Sequence, residues 1–211
     1  MMRYIISTLL CLSSLFIING CSTPTIYIAP AGEQITNQHK TLGIILPSIT
    51  IKKGRKKNPK ALSKQQANIS KEFQREIYEY LLKRKSRGQM VIDIQNIDTT
   101  NLILSKNQIN LSETTTEGLC GLLNVDALIY SEFTVPKSQS FFTTLFYTIL
   151  FDSYSPDTEI NMSLSIKDCD KKTLLWKYDD EDSGLIFRSR ESVVTNLIRS
   201  ATRKMPYFKD I

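Results

Sequence analysis

The stretch of residues 158–167, TEINMSLSIK, decides how this chain folds. Its apolar side chains alternate with polar ones, which predicts a strand that buries one face and shows the other to water. A polar turn follows at residues 168–172, and residues 174–178, LLWKY, then predict an antiparallel partner strand. The chain therefore contains a β-hairpin, and the remaining elements are arranged around it.

Strands and helices alternate on the N-terminal side of this hairpin. Residues 42–47, LGIILP, predict a buried strand that a proline ends, and residues 61–84 carry apolar side chains at the three- and four-residue spacings of an amphipathic helix. Residues 90–94 and 125–135 predict two more strands, with a short helix at 99–105 and a second helix that Ser112 caps between them. After the hairpin, Ser189 is expected to cap a last helix, which Pro206 closes.

This order predicts an α/β fold, a three-layer mixed β-sheet with the order β-α-β-α-β, then a β-hairpin and a C-terminal helix. Helix-separated strands imply parallel pairs with right-handed crossovers, whereas the hairpin adds antiparallel strands. The helices are expected to cover both faces of the sheet, or one face and an edge. A length of 211 residues suits a single domain, with 41% hydrophobic and 23% charged residues, as in globular proteins.

The N-terminus indicates the compartment. Residues 5–18 form an apolar run that is too short for a spanning helix but has the length of a signal-peptide core. The following Ile-Asn-Gly-Cys-Ser resembles the lipobox of bacterial lipoproteins, which implies lipidation of Cys21. A cleaved signal with a chance cysteine, or a buried N-terminal helix, is the alternative. We therefore expect a lipoprotein signal peptide at residues 1–20, a lipid-anchored tether at 21–40 and the domain at 41–211.

The likeness to bacterial lipoproteins also implies a location. Ser22 stands where an aspartate would retain such a protein at the inner membrane, so we expect an outer-membrane lipoprotein on the periplasmic side. Exposure at the outer surface stays an open alternative. Several acyl chains on one cysteine anchor firmly, since each buried methylene contributes about 0.8 kcal/mol.

The chain contains few candidates for catalytic or metal-binding residues. His39 is its one histidine and lies in the predicted tether, where we expect it to be solvated. Once Cys11 leaves with the signal and Cys21 is lipidated, Cys120 and Cys169 remain; we expect two separate thiols, although a disulfide is open to them in an oxidising periplasm. Asp168 and Asp170 suit a hairpin turn, and the acidic run at 179–182 suits a solvated turn better than a cation site. We accordingly expect no catalytic residue, no cofactor, no metal and no enzyme.

Two segments are candidates for contacts. A basic stretch is either a solvated loop or a contact to an anionic envelope surface or an acidic partner, and it lacks the interleaved aromatic residues that nucleic-acid binding uses. An uncharged aromatic segment at 141–151 is either a crossover helix of the core or a site for a partner, self-association or the bilayer surface. The basic residues are Lys52, Lys53, Arg55, Lys56 and Lys57, and the apolar ones are Phe141, Phe142, Leu145, Phe146, Ile149 and Leu150.

The order of these motifs resembles a known group. A lipobox, the LGIILP strand, a long helix, LNVDALIY at 123–130, LLW at 174–176 and KMPY at 204–207 are together similar to envelope lipoproteins with a TolB N-terminal-like domain, the fold of LpoB and CsgG. That resemblance covers about residues 41–207. We expect a non-enzymatic binding or assembly adapter for an envelope machine with a protein partner, and the periplasmic address excludes nucleic acid as a partner. The alternative is an oligomerising subunit of a secretion or transport complex; a pore is not expected, because paired membrane hairpins are missing from the sequence.

Overall fold

A computed structural model describes residues 23–51, 59–135, 160–182 and 190–208. In these ranges the chain forms seven strands and five helices. The strands are β1 (Thr25–Ile28), β2 (Thr41–Ile44), β3 (Ser48–Ile51), β4 (Asp93–Ile94), β5 (Ala127–Val135), β6 (Ile160–Asp168) and β7 (Leu174–Asp182). The helices are α1 (Gly32–Thr36), α2 (Pro59–Ser86), α3 (Ile97–Lys106), α4 (Thr116–Leu123) and α5 (Arg190–Thr202).

The strands make one mixed sheet in the order β1-β7-β6-β5-β2-β4, and β3 pairs with β5 beyond the end of β2. The pairs β2–β4, β2–β5 and β3–β5 are parallel, whereas β5–β6, β6–β7 and β1–β7 are antiparallel. The α/β fold with a mixed sheet and several helices is therefore confirmed.

The two faces of the sheet are covered differently. On one face, α2 and α5 pack over the alternating apolar residues of β5, β6 and β7, including Phe133, Trp176 and Tyr178. On the other face, α3 and α4 form a smaller cluster around Leu119 and Leu128. Consecutive residues of β5 serve both clusters, since Leu128 lies in the smaller one and Ile129 in the larger, as the alternation along a strand requires.

The segment that we expected to be a tether is part of the domain. Its residues 25–28 form β1, which pairs antiparallel with β7, and Ile35 of α1 is 7% exposed in the core. Pro24 and Pro30 suggested a linker, but between them lies Thr-Ile-Tyr-Ile, which is rich in β-branched and aromatic residues. Such residues favour a strand once a partner strand is available.

Three local features differ from the sequence predictions. A strand that the sequence did not predict, β3, follows Pro47 and pairs parallel with β5, and Ser70 Oγ of α2 donates to the Pro47 carbonyl at 2.6 Å. Helix α4 begins after Thr115, whose Oγ1 accepts from the Gly118 N–H at 3.2 Å, and not at Ser112. The acidic run at 179–182 belongs to β7 and is not a turn.

Candidate functional site

The sole histidine lies at the end of the sheet where β2 and β5 begin and β6 finishes. Asp168, the last residue of β6, stands opposite Ala127, the first residue of β5, which in turn stands beside Leu42 of β2. His39 comes two residues before β2, so the strand register itself brings it to Asp168. We call this the histidine end of the sheet.

His39 is held on both ring nitrogens. Its Nε2 lies 2.7 Å from Asp168 Oδ1, and its Nδ1 lies 2.7 Å from the Tyr207 hydroxyl. The side chains of His39 and Asp168 are only 6% and 2% exposed. A carboxylate only accepts hydrogen bonds, so we assign the proton to Nε2, with the Tyr207 O–H donating to Nδ1. Our expectation of a solvated linker histidine is therefore wrong.

Tyr207 is kept as a neutral donor. Burial raises the pKa of its phenol above the ordinary value of 10, and the negative charges of Asp168 and Asp126 raise it further. A phenol with a raised pKa is a poor nucleophile at neutral pH. The hydroxyl therefore serves as a fixed hydrogen-bond donor to the imidazole ring.

The carboxylates around this histidine accept hydrogen bonds from backbone amides. Asp126 Oδ2 accepts from the N–H groups of Lys40 and Thr41, both at 2.8 Å. Asp168 Oδ2 accepts from the N–H of Lys171, so Asp168 holds the hairpin turn with one oxygen and the histidine with the other. The expected turn role of Asp168 is thus present, together with a second role that the sequence did not reveal.

A disulfide lies beside this network. Cys120 of α4 is bonded to Cys169, the residue after Asp168, with a Cα–Cα distance of 5.7 Å and a sequence separation of 49. The N–H of Cys169 donates to the Asp126 carbonyl at 3.0 Å. Our expectation of two separate thiols is therefore wrong: β-strand order brings the turn after β6 against α4, which no spacing in the sequence predicts.

These groups line an open cleft of about 530 Å³. Acid–base chemistry on a bound molecule would need a ring nitrogen of His39 that faces the cleft, yet both nitrogens are used within the protein. The arrangement ties together the N-terminal segment, the hairpin turn, α4 and the C-terminus. The lining residues are Ile35, Gln38, His39, Glu117, Cys120, Gly121, Asn124, Val125, Asp126, Asp168, Cys169, Asp170 and Lys171.

The acidic run contributes side-chain bonds to β7. Asp179 Oδ2 accepts from Lys177 Nζ at 2.9 Å, and Asp180 Oδ2 accepts from the Tyr178 hydroxyl at 2.8 Å. Burial, reinforced by the Asp180 carboxylate and opposed by a hydrogen bond with Ser200, raises the pKa of Tyr178 to about 12. Within the described ranges, no group of three or more His, Cys, Asp or Glu side chains is arranged to hold a metal ion.

The residues that the sequence singled out for contacts lie outside the described ranges. Cys21, the basic residues at 52–57 and the aromatic segment at 141–151 therefore stay predictions. Among the helices that the structure describes, none has both the length and the apolar character to cross a membrane.

Comparisons with known proteins give structural likenesses only. No protein-family model matches the chain, and no curated protein matches it. The lipoprotein GNA1162 from Neisseria meningitidis is similar at 10% identity and a TM-score of 0.43, over 78% of this chain and 98% of that one. The LpoB C-terminal domain from Salmonella enterica is similar at 7% identity and a TM-score of 0.39, over 68% and 82%. The PelC dodecamer from Paraburkholderia phytofirmans is similar at 14% identity and a TM-score of 0.42, over 90% and 99%.

Proposed function

We propose that this protein is a lipid-anchored lipoprotein on the periplasmic side of the outer membrane and acts there as a non-enzymatic binding adapter. The observation that carries the proposal is the direction of the strands. Strand β1 begins at the end of the sheet where β3, β5 and β7 finish, opposite the histidine end. We call it the anchor end.

The register supports this common end in detail. Thr25 of β1 stands opposite Asp179, near the end of β7, and Ile51 of β3 stands opposite Val135, the last residue of β5. Cys21 precedes Thr25 by four residues, which span at most about 14 Å. A lipid on Cys21 would therefore hold the anchor end close to the membrane and direct the histidine end away from it.

The two connections that contain the contact candidates leave described strands at the same end of the sheet. The basic residues 52–57 follow directly after Ile51, and the aromatic segment 141–151 belongs to the connection from Val135 to Ile160. Cations and apolar aromatic side chains are the two kinds of group that favour an anionic bilayer surface. Their origin beside the anchor supports a membrane-facing role for this end.

The histidine end supports two further parts of the proposal, the periplasmic location and the non-enzymatic role. Disulfides persist in oxidising compartments, and Cys120–Cys169 fits the periplasm. His39, the only imidazole in the chain, is engaged on both nitrogens, which favours binding over catalysis.

Lipid labelling and fractionation test the proposal. Cells that express the full chain are grown with a labelled fatty acid, and the two membranes are separated on a density gradient. We expect the label on the protein in the outer-membrane fraction, and Cys21→Ser should abolish the label and remove the protein from that fraction. Cys11→Ser is the matched control and should change neither. An unmodified Cys21 in the membrane-bound mature protein would contradict the anchor.

A native mass measurement in mild detergent separates the adapter from a ring subunit. A monomer or dimer supports the adapter, whereas a large closed oligomer supports the subunit of a secretion or transport complex.

A further inference from the structure

Strand β1 presents an unpaired apolar edge. It is the terminal strand of the sheet, with β7 on one side and no strand on the other in the described structure. Ile26, Tyr27 and Ile28 are 39%, 46% and 55% exposed. They are three of the six large hydrophobic side chains that the described ranges expose, and they are consecutive.

On the outer side of β1, no strand of the described ranges pairs with the backbone N–H and C=O groups. The Ala29 N–H donates to the Leu175 carbonyl of the β7 segment at 2.9 Å, so Ala29 faces inward. Backbone groups alternate in direction along an antiparallel strand, and Tyr27 therefore also faces β7. The N–H and C=O groups of Ile26 and Ile28 consequently point outward, away from the sheet.

The other edge strands offer a partner strand less than β1 does. Strand β4 has two residues, and its Asp93 is paired with Lys85. On β3, the Ile49 carbonyl accepts from Gln66 Nε2 at 2.8 Å, so a side chain already occupies that edge. Natural edge strands are usually shielded by charge, proline or a cover. Pro24 and Pro30 limit the open edge of β1 to the residues between them, Thr-Ile-Tyr-Ile-Ala, which contain neither charge nor proline. Such an edge pairs readily with another strand.

A second copy of the chain is a poor occupant for this edge. A four-residue strand is only about 13 Å long, and two of them buried together fall well short of the roughly 1,200–2,000 Å² of a stable interface. Two β1 strands related by a two-fold axis would also run antiparallel. Their anchor ends would then point in opposite directions, which conflicts with anchoring both copies in one membrane.

We propose that β1 is a docking edge for an extended, uncharged segment of another envelope protein, which adds to the sheet as a further strand. The inference rests on the proposed adapter function and names its partner contact. Main-chain bonds to Ile26 and Ile28 supply the affinity, and apolar side chains at alternate positions of the partner continue the exposed strip of these two isoleucines. A short strand binds weakly alone, and the shared membrane surface raises the effective concentration of the partner.

Hydrogen exchange on the mature protein in detergent tests this edge. The probe is a blocked peptide, Lys-Thr-Val-Thr-Val-Thr-Val-Thr-Lys, and the matched control peptide carries proline in place of its central valine. At saturation we expect the Ile26 and Ile28 amides to exchange about tenfold more slowly with the probe, and unchanged with the control peptide.

Two variants localise the effect. Ile28→Pro removes an outward N–H without removing a bond to β7, so the fold should persist and the protection at Ile26 should be lost. Trp176 stands opposite Ile28, and its unchanged fluorescence would report that β1 is still paired. Leu102→Ser, at a residue 52% exposed on α3, is the control variant and should bind the probe as the wild type does.

Three results would overturn the proposal. The first is an absence of protection at a saturating concentration of the probe peptide. The second is protection that rises with protein concentration alone, which would indicate a second copy of the chain. The third is protection by anionic vesicles without any peptide, which would indicate a lipid surface. Lipid labelling of Cys21 is independent of all three, so failure of the β1 edge and failure of the anchored-adapter proposal remain distinguishable.

Discussion

The two ends of the sheet are built from different chemistry. At the histidine end, buried polar groups are satisfied by one another, and a disulfide crosses between α4 and the hairpin turn. At the anchor end, β1 begins with exposed residues and β7 finishes. Strands β3 and β5 also finish there, and the sequence continues into a basic stretch after β3 and an aromatic segment after β5. One end joins elements that are distant in sequence, and the other presents surface to the surroundings.

This difference predicts which substitutions change the stability of the protein and which change its binding. Removing one member of a buried polar network leaves its partners unsatisfied, which costs far more than removing an exposed contact. Substitutions at the histidine end should therefore lower the free energy of unfolding, whereas substitutions at the anchor end should alter binding and leave unfolding almost unchanged.

The largest effect on the free energy of unfolding is expected from removal of the disulfide. Replacing Cys120 and Cys169 by alanine removes a cross-link between residues 49 apart, and the loop-entropy relation gives a loss of about 4 kcal/mol in the free energy of unfolding. Urea titration of the oxidised wild type and the double variant measures it. The wild type treated with a thiol reductant is the control and should unfold at the same urea concentration as the double variant. Equal stability of oxidised and reduced wild type would contradict the cross-link's role.

The next largest effect is expected for Asp168→Ala. The variant leaves the Nε2–H of His39 buried and unpaired and removes the acceptor of the Lys171 amide, so we expect a loss of about 3 kcal/mol. Asp170→Ala is the matched control, since Asp170 is exposed in the same turn; its effect should stay within about 0.5 kcal/mol. Similar losses in both variants would show that the turn, and not the histidine network, carries the stability.

A smaller effect with a pH signature is expected for Tyr207→Phe. The variant loses the hydroxyl that donates to His39 Nδ1, which should cost about 1 kcal/mol at pH 7. Because folding raises the pKa of this phenol above 10, its contribution is complete below pH 10 and falls as the pH rises from there towards the raised pKa.

The difference between wild type and Tyr207→Phe should therefore shrink above pH 10 in urea titrations at a series of pH values. Tyr27→Phe, on the exposed edge strand, is the control and should match the wild type at neutral pH. A difference that stays constant up to pH 12 would argue against a buried neutral phenol at this position.

Periodicity explains which elements the sequence could predict. The β6–β7 hairpin and helix α2 both bury one face, and their apolar residues repeat at the spacing of a strand or a helix, so local patterns were enough. Strand β1 was missed because its four residues lie between Pro24 and Pro30, and its partner β7 is about 150 residues away in the chain. The run Thr-Ile-Tyr-Ile was the signal that favoured a strand there.

The histidine end left no local signal at all. Asp168 and Tyr207 lie 129 and 168 residues after His39 in the chain, and only the strand order brings the three residues together. The disulfide depends on the same order, because Cys169 follows the last residue of β6 and Cys120 lies on the helix that precedes β5. Sequence patterns predict elements, whereas contacts between the ends of distant elements follow from the assembled sheet.

The smallest effect on unfolding is expected at the anchor end, where the basic stretch should act on binding instead. Replacing Lys52, Lys53, Arg55, Lys56 and Lys57 by serine should change the free energy of unfolding by less than about 0.5 kcal/mol. Each cation near an anionic bilayer contributes about 1 kcal/mol, so in the Cys21→Ser background, which lacks the lipid anchor, partition of the protein into phosphatidylserine vesicles should fall by more than about a hundredfold.

Position, and not net charge alone, decides this outcome. Helix α2 is about 42 Å long, and it begins just after the basic stretch and carries Lys83 and the nearby Arg87 at its far end. Lys83→Ser with Arg87→Ser is therefore the matched control in the same background: both residues are exposed cations, and their loss should leave vesicle partition within about threefold of the Cys21→Ser protein. Raising the salt from 0.1 M to 1 M shortens the Debye length from about 10 Å to about 3 Å, so partition of the Cys21→Ser protein should approach that of the five-serine variant. Losses of binding free energy in proportion to the five and the two charges removed would mean that net charge attracts the protein to the membrane without orienting its anchor end.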